Sequence, residues 1–140
     1  MLVDEGLELL EESECRELLA RGSIGRVGVS IGALPAIFPV NYVVADDAVV
    51  FRTGQGTKLE AATDHAVVAF EVDDFDRLHH CGWSVLVMGT ANLVTNPAEE
   101  AVLRRLPLRP WAGGRRWAFV RVPIVFISGR RIVHGPVEGT

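Results

Sequence analysis

The feature that most restricts this chain is a pair of β-branched, apolar runs set three residues apart. Ala36 to Val44 and Ala48 to Thr53 are rich in Val, with Ile, Phe and Tyr among them, side chains that suit a pleated, half-buried surface. Between them stands Ala45-Asp46-Asp47, a turn sequence. Strands joined by so short a link must lie antiparallel, so a hairpin is expected here.

Other segments extend the pattern. Ile24 to Ile31 alternates weakly, and Ala66 to Val72 is apolar enough to be a strand buried on both faces. Gly82 to Val94 reads as a long strand. Trp117 to Ser128 reads as another, followed by a Gly129-Arg130 turn and a short strand from Arg131 to His134. Three helices are expected among them. Leu7 to Ala20 carries Leu7, Leu10, Leu18 and Leu19 at helical spacing and is interrupted or re-capped at Ser13. Thr57 to Thr63 is a short helix capped by Thr57 or the residue before it. Asn96-Pro97-Ala98-Glu99 opens a third, running to about Leu106: Asn caps, Pro takes the first position and Glu can close a capping box. Asp73 to Cys81 and Pro107 to Gly114 read as loops. Six or seven strands linked mostly by hairpins favour an antiparallel barrel with peripheral helices over a doubly wound sheet.

The chain has 140 residues, 49% of them hydrophobic, which is enough for one domain with a real core. No internal repeat or linker divides it. A net charge of -4 argues against a nucleic-acid-binding surface. No apolar run has the length of a membrane span, and the acidic start Met1-Leu2-Val3-Asp4-Glu5 is unlike a signal peptide. Cys15 and Cys81 are too few for a disulfide framework. A soluble, reduced, cytoplasmic protein is expected.

The basic residues are thirteen arginines and one lysine, Lys58. That lysine falls in Phe51-Arg52-Thr53-Gly54-Gln55-Gly56-Thr57-Lys58, a strand end, a glycine-rich turn and a helix start. Two cations beside flexible backbone suit a phosphate. They equally suit a solvated strand end and helix face. The segment is not a Walker A loop, because the order and spacing of its glycines and lysine are wrong. His79-His80-Cys81 lacks metal-ligand spacing and reads as a solvated loop, as does Asp73-Asp74-Phe75-Asp76. Arg104, Arg105, Arg109, Arg115 and Arg116 cluster around Trp111. They fit a solvated helix end, or a hold on an anionic cofactor tail or substrate. Trp117 reads as a core aromatic. No nucleophile–base constellation is visible.

Three motifs then stand in order: Phe38-Pro39-Val40-Asn41-Tyr42, Phe51 to Leu59, and Gly82-Trp83-Ser84 running on to Ala91. Together they resemble the pyridoxamine 5'-phosphate oxidase-like superfamily of flavin-binding proteins, over roughly 13–133. The resemblance implies a mainly β fold, a six-stranded antiparallel split β-barrel of Greek-key type with peripheral helices. It implies a homodimer with FMN in a cleft at its interface. Arg52 and Lys58 would hold the phosphate, with Thr57 assisting and Leu59 beside them. Pro39, Val40, Asn41 and the backbone at Phe51 and Thr53 would lie along the ring. Trp83 and Ser84 would reach over from the partner subunit, although Trp83 fits a core position equally well. The implied activity is transfer of hydride or electrons to a small organic acceptor. On the same fold stand a deazaflavin (F420)-dependent reductase and a non-enzymatic flavin or haem binder. Oxidation of pyridoxamine phosphate itself ranks last, because Val133-His134-Gly135-Pro136 lacks the Arg-x-His tail that reaction uses.

Overall fold

Asp46 and Asp47 both take positive φ, 49° and 60°, the left-handed pair of a tight hairpin turn. They join β3 (Leu34–Ala45) to β4 (Ala48–Gly54), as the turn sequence predicts. The computed structural model describes residues 7–108 and 117–132. Its remaining elements are β1 (Leu7–Leu9), α1 (Glu12–Arg21), β2 (Ile24–Ile31), α2 (Lys58–Thr63), β5 (Ala66–Asp76), β6 (Cys81–Leu93), α3 (Pro97–Leu103), β7 (Trp117–Pro123) and β8 (Phe126–Ile132). The fold is mainly β, with every strand pairing antiparallel.

The strands run in the order β1-β8-β6-β5-β2-β3-β4-β7, and β6 also pairs with β7. Six strands therefore close on themselves, and β8 and β1 extend from the outer edge of β6. The link through α2 carries the chain from β4 back to β5 beside β2, the long return of a Greek key. Closure depends on how β6 divides one edge. Gly82 to Met88 pair with β8, and Asn92 and Leu93 pair with β7. Gly89 stands at the changeover. A Cβ there would lie 2.3 Å from the carbonyl oxygen of Pro123, where the chain bends from β7 towards β8.

Alternation along the strands fills the barrel. Val27, Val49, Phe51, Phe70, Val85, Val87, Val120 and Val122 point inward and are fully buried. Leu18 and Leu19 of α1 join this core. A second cluster, Val50, Leu103, Leu108 and Phe119, packs α3 and the segment after it against the outside of β4 and β7. A buried Phe or Leu contributes about 1.5–3 kcal/mol, so the inward row of side chains is the main term holding the ring closed.

Several local expectations are corrected. Leu7 to Leu9 form a strand on β8, so the first helix starts only at Glu12. β5 runs on to Asp76 instead of ending at Val72: Phe75 pairs with Gly82, and a Cβ at Gly82 would meet the Phe75 ring at 2.3 Å. The turn that follows is held by Asp76, whose carboxylate accepts from the Leu78 and His79 N–H groups and sits 2.7 Å from the His79 ring. Gly129 is inside β8, opposite Val85, with Cys15 Sγ 2.6 Å from where its Cβ would be. The break falls instead at Ile124 and Val125, and the Ile124 N–H donates to Asp47 O at 3.0 Å. At α3, Asn96 accepts from the N–H groups of Ala98 and Glu99, as its sequence predicts. Glu99 faces Arg121 at 3.9 Å.

On the outer face of the β2–β5 pair, Arg26 stands opposite Glu71. Its Nη1 donates to Glu71 at 2.8 Å and to Asp73 at 3.2 Å, so two carboxylates share one guanidinium. Burial, reinforced by the Asp73 carboxylate, pushes the Glu71 carboxyl up to about 7, against the pull of Arg26. The folded pKa then exceeds the unfolded one, so the native state holds the extra proton. Stability from this site is greatest in acid and declines as pH rises towards 7. Thermal melting from about pH 5 to about pH 8 should show the Glu71→Gln variant gaining on the parent as pH rises. Equal slopes for the two proteins would contradict the assignment. Gly89→Ala should lower stability by about 1–3 kcal/mol in urea denaturation, because backbone occupies the space a methyl needs.

Candidate functional site

The β3–β4 ladder starts at the hairpin, with Ala45 opposite Ala48, and ends at Tyr42 opposite Phe51. Beyond that pair the two strands part company. β3 continues along β2, and β4 continues along β7. Pro39 lies in the departing stretch, and a proline has no N–H to offer a continuing ladder. A wedge opens where Val40 would otherwise face Thr53 and Pro39 would face Gly54.

This wedge is a cleft of about 350 Å³ lined by Phe38, Pro39, Val40, Asn41, Arg52, Thr53, Gly54, Thr57, Lys58, Leu59 and Trp117. Eight of the eleven residues singled out in the sequence meet here. Phe51 lies one pair short of the cleft, its side chain wholly inside the barrel. Trp83 and Ser84 are elsewhere on the chain. Trp83 faces a separate hollow with Arg21, Ser23 and Asp73, and Ser84 pairs with Asp73 and Arg130.

Arg52 points away from the barrel interior. Its guanidinium lies 5.2 Å from the ring centre of Phe119 and 5.8 Å from that of Trp117. Nη1 donates to Leu108 O at 3.3 Å, while the buried Nε has no hydrogen-bond partner among the described residues. Lys58 is exposed at the first position of α2. Among the described residues neither cation has an acidic partner, although Arg16, Arg26, Arg104, Arg121 and Arg131 all do.

The turn between these cations is tied internally. The Thr57 hydroxyl donates to Gly54 O at 2.7 Å and accepts from the Glu60 N–H at 3.1 Å, capping α2. The Gly56 N–H, at φ +80°, donates to Glu60 Oε1 at 2.9 Å. Thr57 therefore shapes the loop with its side chain. α2 is only six residues long, so the two side-chain cations, rather than a helix dipole, dominate the field at this end of the cleft.

Four of the lining residues are apolar: Phe38, Pro39 and Val40 of β3, and Leu59 of α2. A cleft lined by cations and apolar side chains accepts a flat organic group carrying a phosphate. The orphaned Arg52 Nε and the acid-free Lys58 fit such an anion. Phe38, Gly54 and Trp117 line the cleft without having been assigned to the site from sequence; Phe38 precedes the assigned Pro39 directly. Strand register identifies Gly54 and Trp117, which pair at the end of the β4–β7 ladder. Arg109, Trp111, Arg115 and Arg116 of the arginine cluster, and His134, lie outside the described residues.

Fold and cleft together define a split β-barrel with an anion-ready wedge in its wall. The chain belongs to the pyridoxamine 5'-phosphate oxidase family, whose model matches residues 11–131. It is 39% identical to the uncharacterized protein Rv0080 of Mycobacterium tuberculosis, an alignment spanning 89% of this chain and 84% of that protein. Among solved structures it is similar to the FAD binding protein from Mycobacterium smegmatis, with 39% identity and a TM-score of 0.75, covering 89% of this chain and 96% of that one. A conserved protein of unknown function from Corynebacterium diphtheriae gives 33% identity and a TM-score of 0.77, covering 92% and 100%. No helix among the described residues is long and apolar enough to cross a membrane.

The capping role of Thr57 can be checked directly. Thr57→Ala should cost about 1 kcal/mol in denaturation, while Thr57→Ser should keep most of the stability. Equal losses would show that the hydroxyl does not hold the turn.

Proposed function

We propose that this chain binds a flavin nucleotide in the β3–β4 wedge and serves as a flavin-dependent oxidoreductase. The observation that carries the reading is that one cleft is lined by two cations without acidic partners among the described residues, Arg52 and Lys58, and by the apolar Phe38, Pro39, Val40 and Leu59. Arg52 offers a planar fork and Lys58 a mobile point charge, the two complementary ways of holding a phosphate. Phe38, Pro39, Val40 and Leu59 offer apolar contact to the ring system. When bound, the flavin would supply the redox chemistry, hydride or electron transfer to a small organic acceptor, and the chain would bind and orient it.

FMN and FAD share the phosphate next to the ribityl chain, so both fit the cation pair. The likeness to the FAD binding protein from Mycobacterium smegmatis supports a flavin and leaves room for the longer nucleotide.

A homodimer is part of this reading. A row across five strands, Ile37, Gly28, Ala69, Met88 and Phe126, presents an apolar face on the outside of the sheet. Ile37 is 72% exposed and Phe126 46%, large apolar groups to leave in water. The face is continuous with the cleft, because Ile37 and Pro39 are alternate residues of one strand. Pairing two copies through it would bring the partner's surface to the open side of the wedge, the role expected for Trp83 and Ser84.

Absorbance of the purified protein and titration with FMN and FAD test the flavin directly. A charge-assisted hydrogen bond contributes about 1.5–3 kcal/mol. Lys58→Ala should therefore weaken FMN binding roughly ten- to a hundredfold and leave riboflavin, which has no phosphate, nearly unchanged. Equal losses for both ligands would remove the phosphate role, and binding of F420 with no flavin would replace the cofactor. Turnover of an acceptor with a nicotinamide donor separates enzyme from carrier, and sedimentation at micromolar concentration should give a dimer.

A further inference from the structure

We propose that Trp117 is a positioning residue that fixes the guanidinium of Arg52 for the anionic end of the ligand. The inference rests on the anion-site reading of the cleft and gives that reading a second residue.

Register sets up the arrangement. Arg52 stands directly opposite Phe119 on the neighbouring strand, and Trp117 is its diagonal neighbour on the same face. The guanidinium carbon lies 5.2 Å from one ring centre and 5.8 Å from the other, both within cation–π range. The Leu108 carbonyl accepts from one terminal nitrogen. Three contacts, two from β7 and one from the segment after α3, thus converge on one side chain.

Trp117 differs from the other two supports. Phe119 is 2% exposed and belongs to the outer apolar cluster, so its packing accounts for its presence. Trp117 is only half-buried and lines the cleft itself. Its cross-strand partner is Gly54, and a Cβ at that glycine would lie 3.9 Å from Trp117 Cζ3. The indole therefore passes across the start of the glycine turn between Arg52 and Thr57. It backs the turn and faces the arginine at once.

The physical consequence concerns order. A free arginine side chain carries about 2 kcal/mol of rotamer entropy, which an anion must overcome when it captures the group. An arginine already held against a ring and a carbonyl loses less on binding. A cationic group on an indole face is also less strongly hydrated than one in open water, so its attraction for a phosphate is less screened.

The test is a cycle read with two ligands. In the parent protein FMN should bind more tightly than riboflavin. Trp117→Leu should weaken FMN roughly two- to thirtyfold, the span of a cation–π contact, and weaken riboflavin markedly less. Trp117→Phe should restore most of the loss. In the Arg52→Ala background Trp117→Leu should have no further effect on FMN, because the residue acts through Arg52. Fluorinated tryptophans placed at position 117 keep the ring's shape while draining its face of negative charge, so they test the contact without disturbing the fold. FMN affinity should fall stepwise with fluorination, and riboflavin should not respond. A flat fluorination series, or the same loss with and without Arg52, would overturn the positioning role alone. A parent protein that binds neither ligand, or both equally, would remove the anion site and this role with it.

Discussion

Tyr42 and Phe51 form the last pair of the β3–β4 ladder, and the cleft exists because the ladder ends there. Both residues are locked from inside the barrel. Phe51 is wholly buried, and Tyr42 is 2% exposed. The Tyr42 ring meets Phe70 edge-on at 4.7 Å, and its hydroxyl donates to Leu19 O at 2.5 Å, near the end of α1. Burial pushes the phenol up to about 12, so it remains a donor throughout the physiological range. Gly22 makes room for it: a Cβ there would lie 2.2 Å from the hydroxyl oxygen. One side chain thus ties α1, β3 and β5 together beside the point where β3 leaves β4. The wedge is a fixed break in a rigid wall.

The same economy appears at the other seam. β6 keeps β5 from Cys81 to Ala91 and pairs on its other side first with β8 and then with β7. The exchange requires close backbone approach at Gly89. Closure at this seam supplies β7 as a neighbour for β4 beyond the point where β3 departs. Without β7, the Arg52 to Gly54 stretch would be a free edge. With it, Arg52 is backed by Phe119 and Trp117, and the glycine turn starts from a paired strand. The two seams are therefore coupled: one opens the wall, and the other stiffens the lip of the opening.

Much of this was legible in the sequence wherever the signal is local. The Asp46-Asp47 hairpin, the Asn96 cap and the short helix after Thr57 each follow from a few adjacent residues. The motif residues Pro39, Val40, Arg52, Thr57 and Lys58 meet in one cleft because the hairpin alone brings them together. What escaped depends on distant partners. Leu7 to Leu9 carry leucines that suit a helix face equally well, and only the edge of β8 makes them a strand. Gly129 looks like a turn residue, yet its role is to admit Cys15. Asp73 to Asp76 look solvated, yet Asp73 is half-buried on Arg26 and only Asp74 to Asp76 are exposed, on a strand whose register is set by Gly82. Trp117 looks like core because nothing near it in the chain announces Gly54 or Arg52. For Leu7 to Leu9, Gly129 and Trp117 the deciding contact spans tens of residues.

The uneven legibility has a physical cause that bears on how such a site works. An anion needs charge at fixed positions, and charge held by neighbouring residues on one hairpin leaves a compact signature. A ring system needs surface, and surface is assembled from whatever strands, loops or subunits happen to converge. The cationic end of this cleft is accordingly built from β4 and the start of α2, within seven residues of chain from Arg52 to Lys58. Phe38, Pro39 and Val40 of the apolar lining come from β3, the strand that also carries the exposed Ile37, and Leu59 comes from α2. On the proposed flavin reading, an arrangement of this kind would anchor the ligand's tail and leave the environment of the ring to be completed by the surface that meets it. Chains sharing the barrel and the cations can then differ in chemistry through the strands that line the open side, with no change at Arg52 or Lys58.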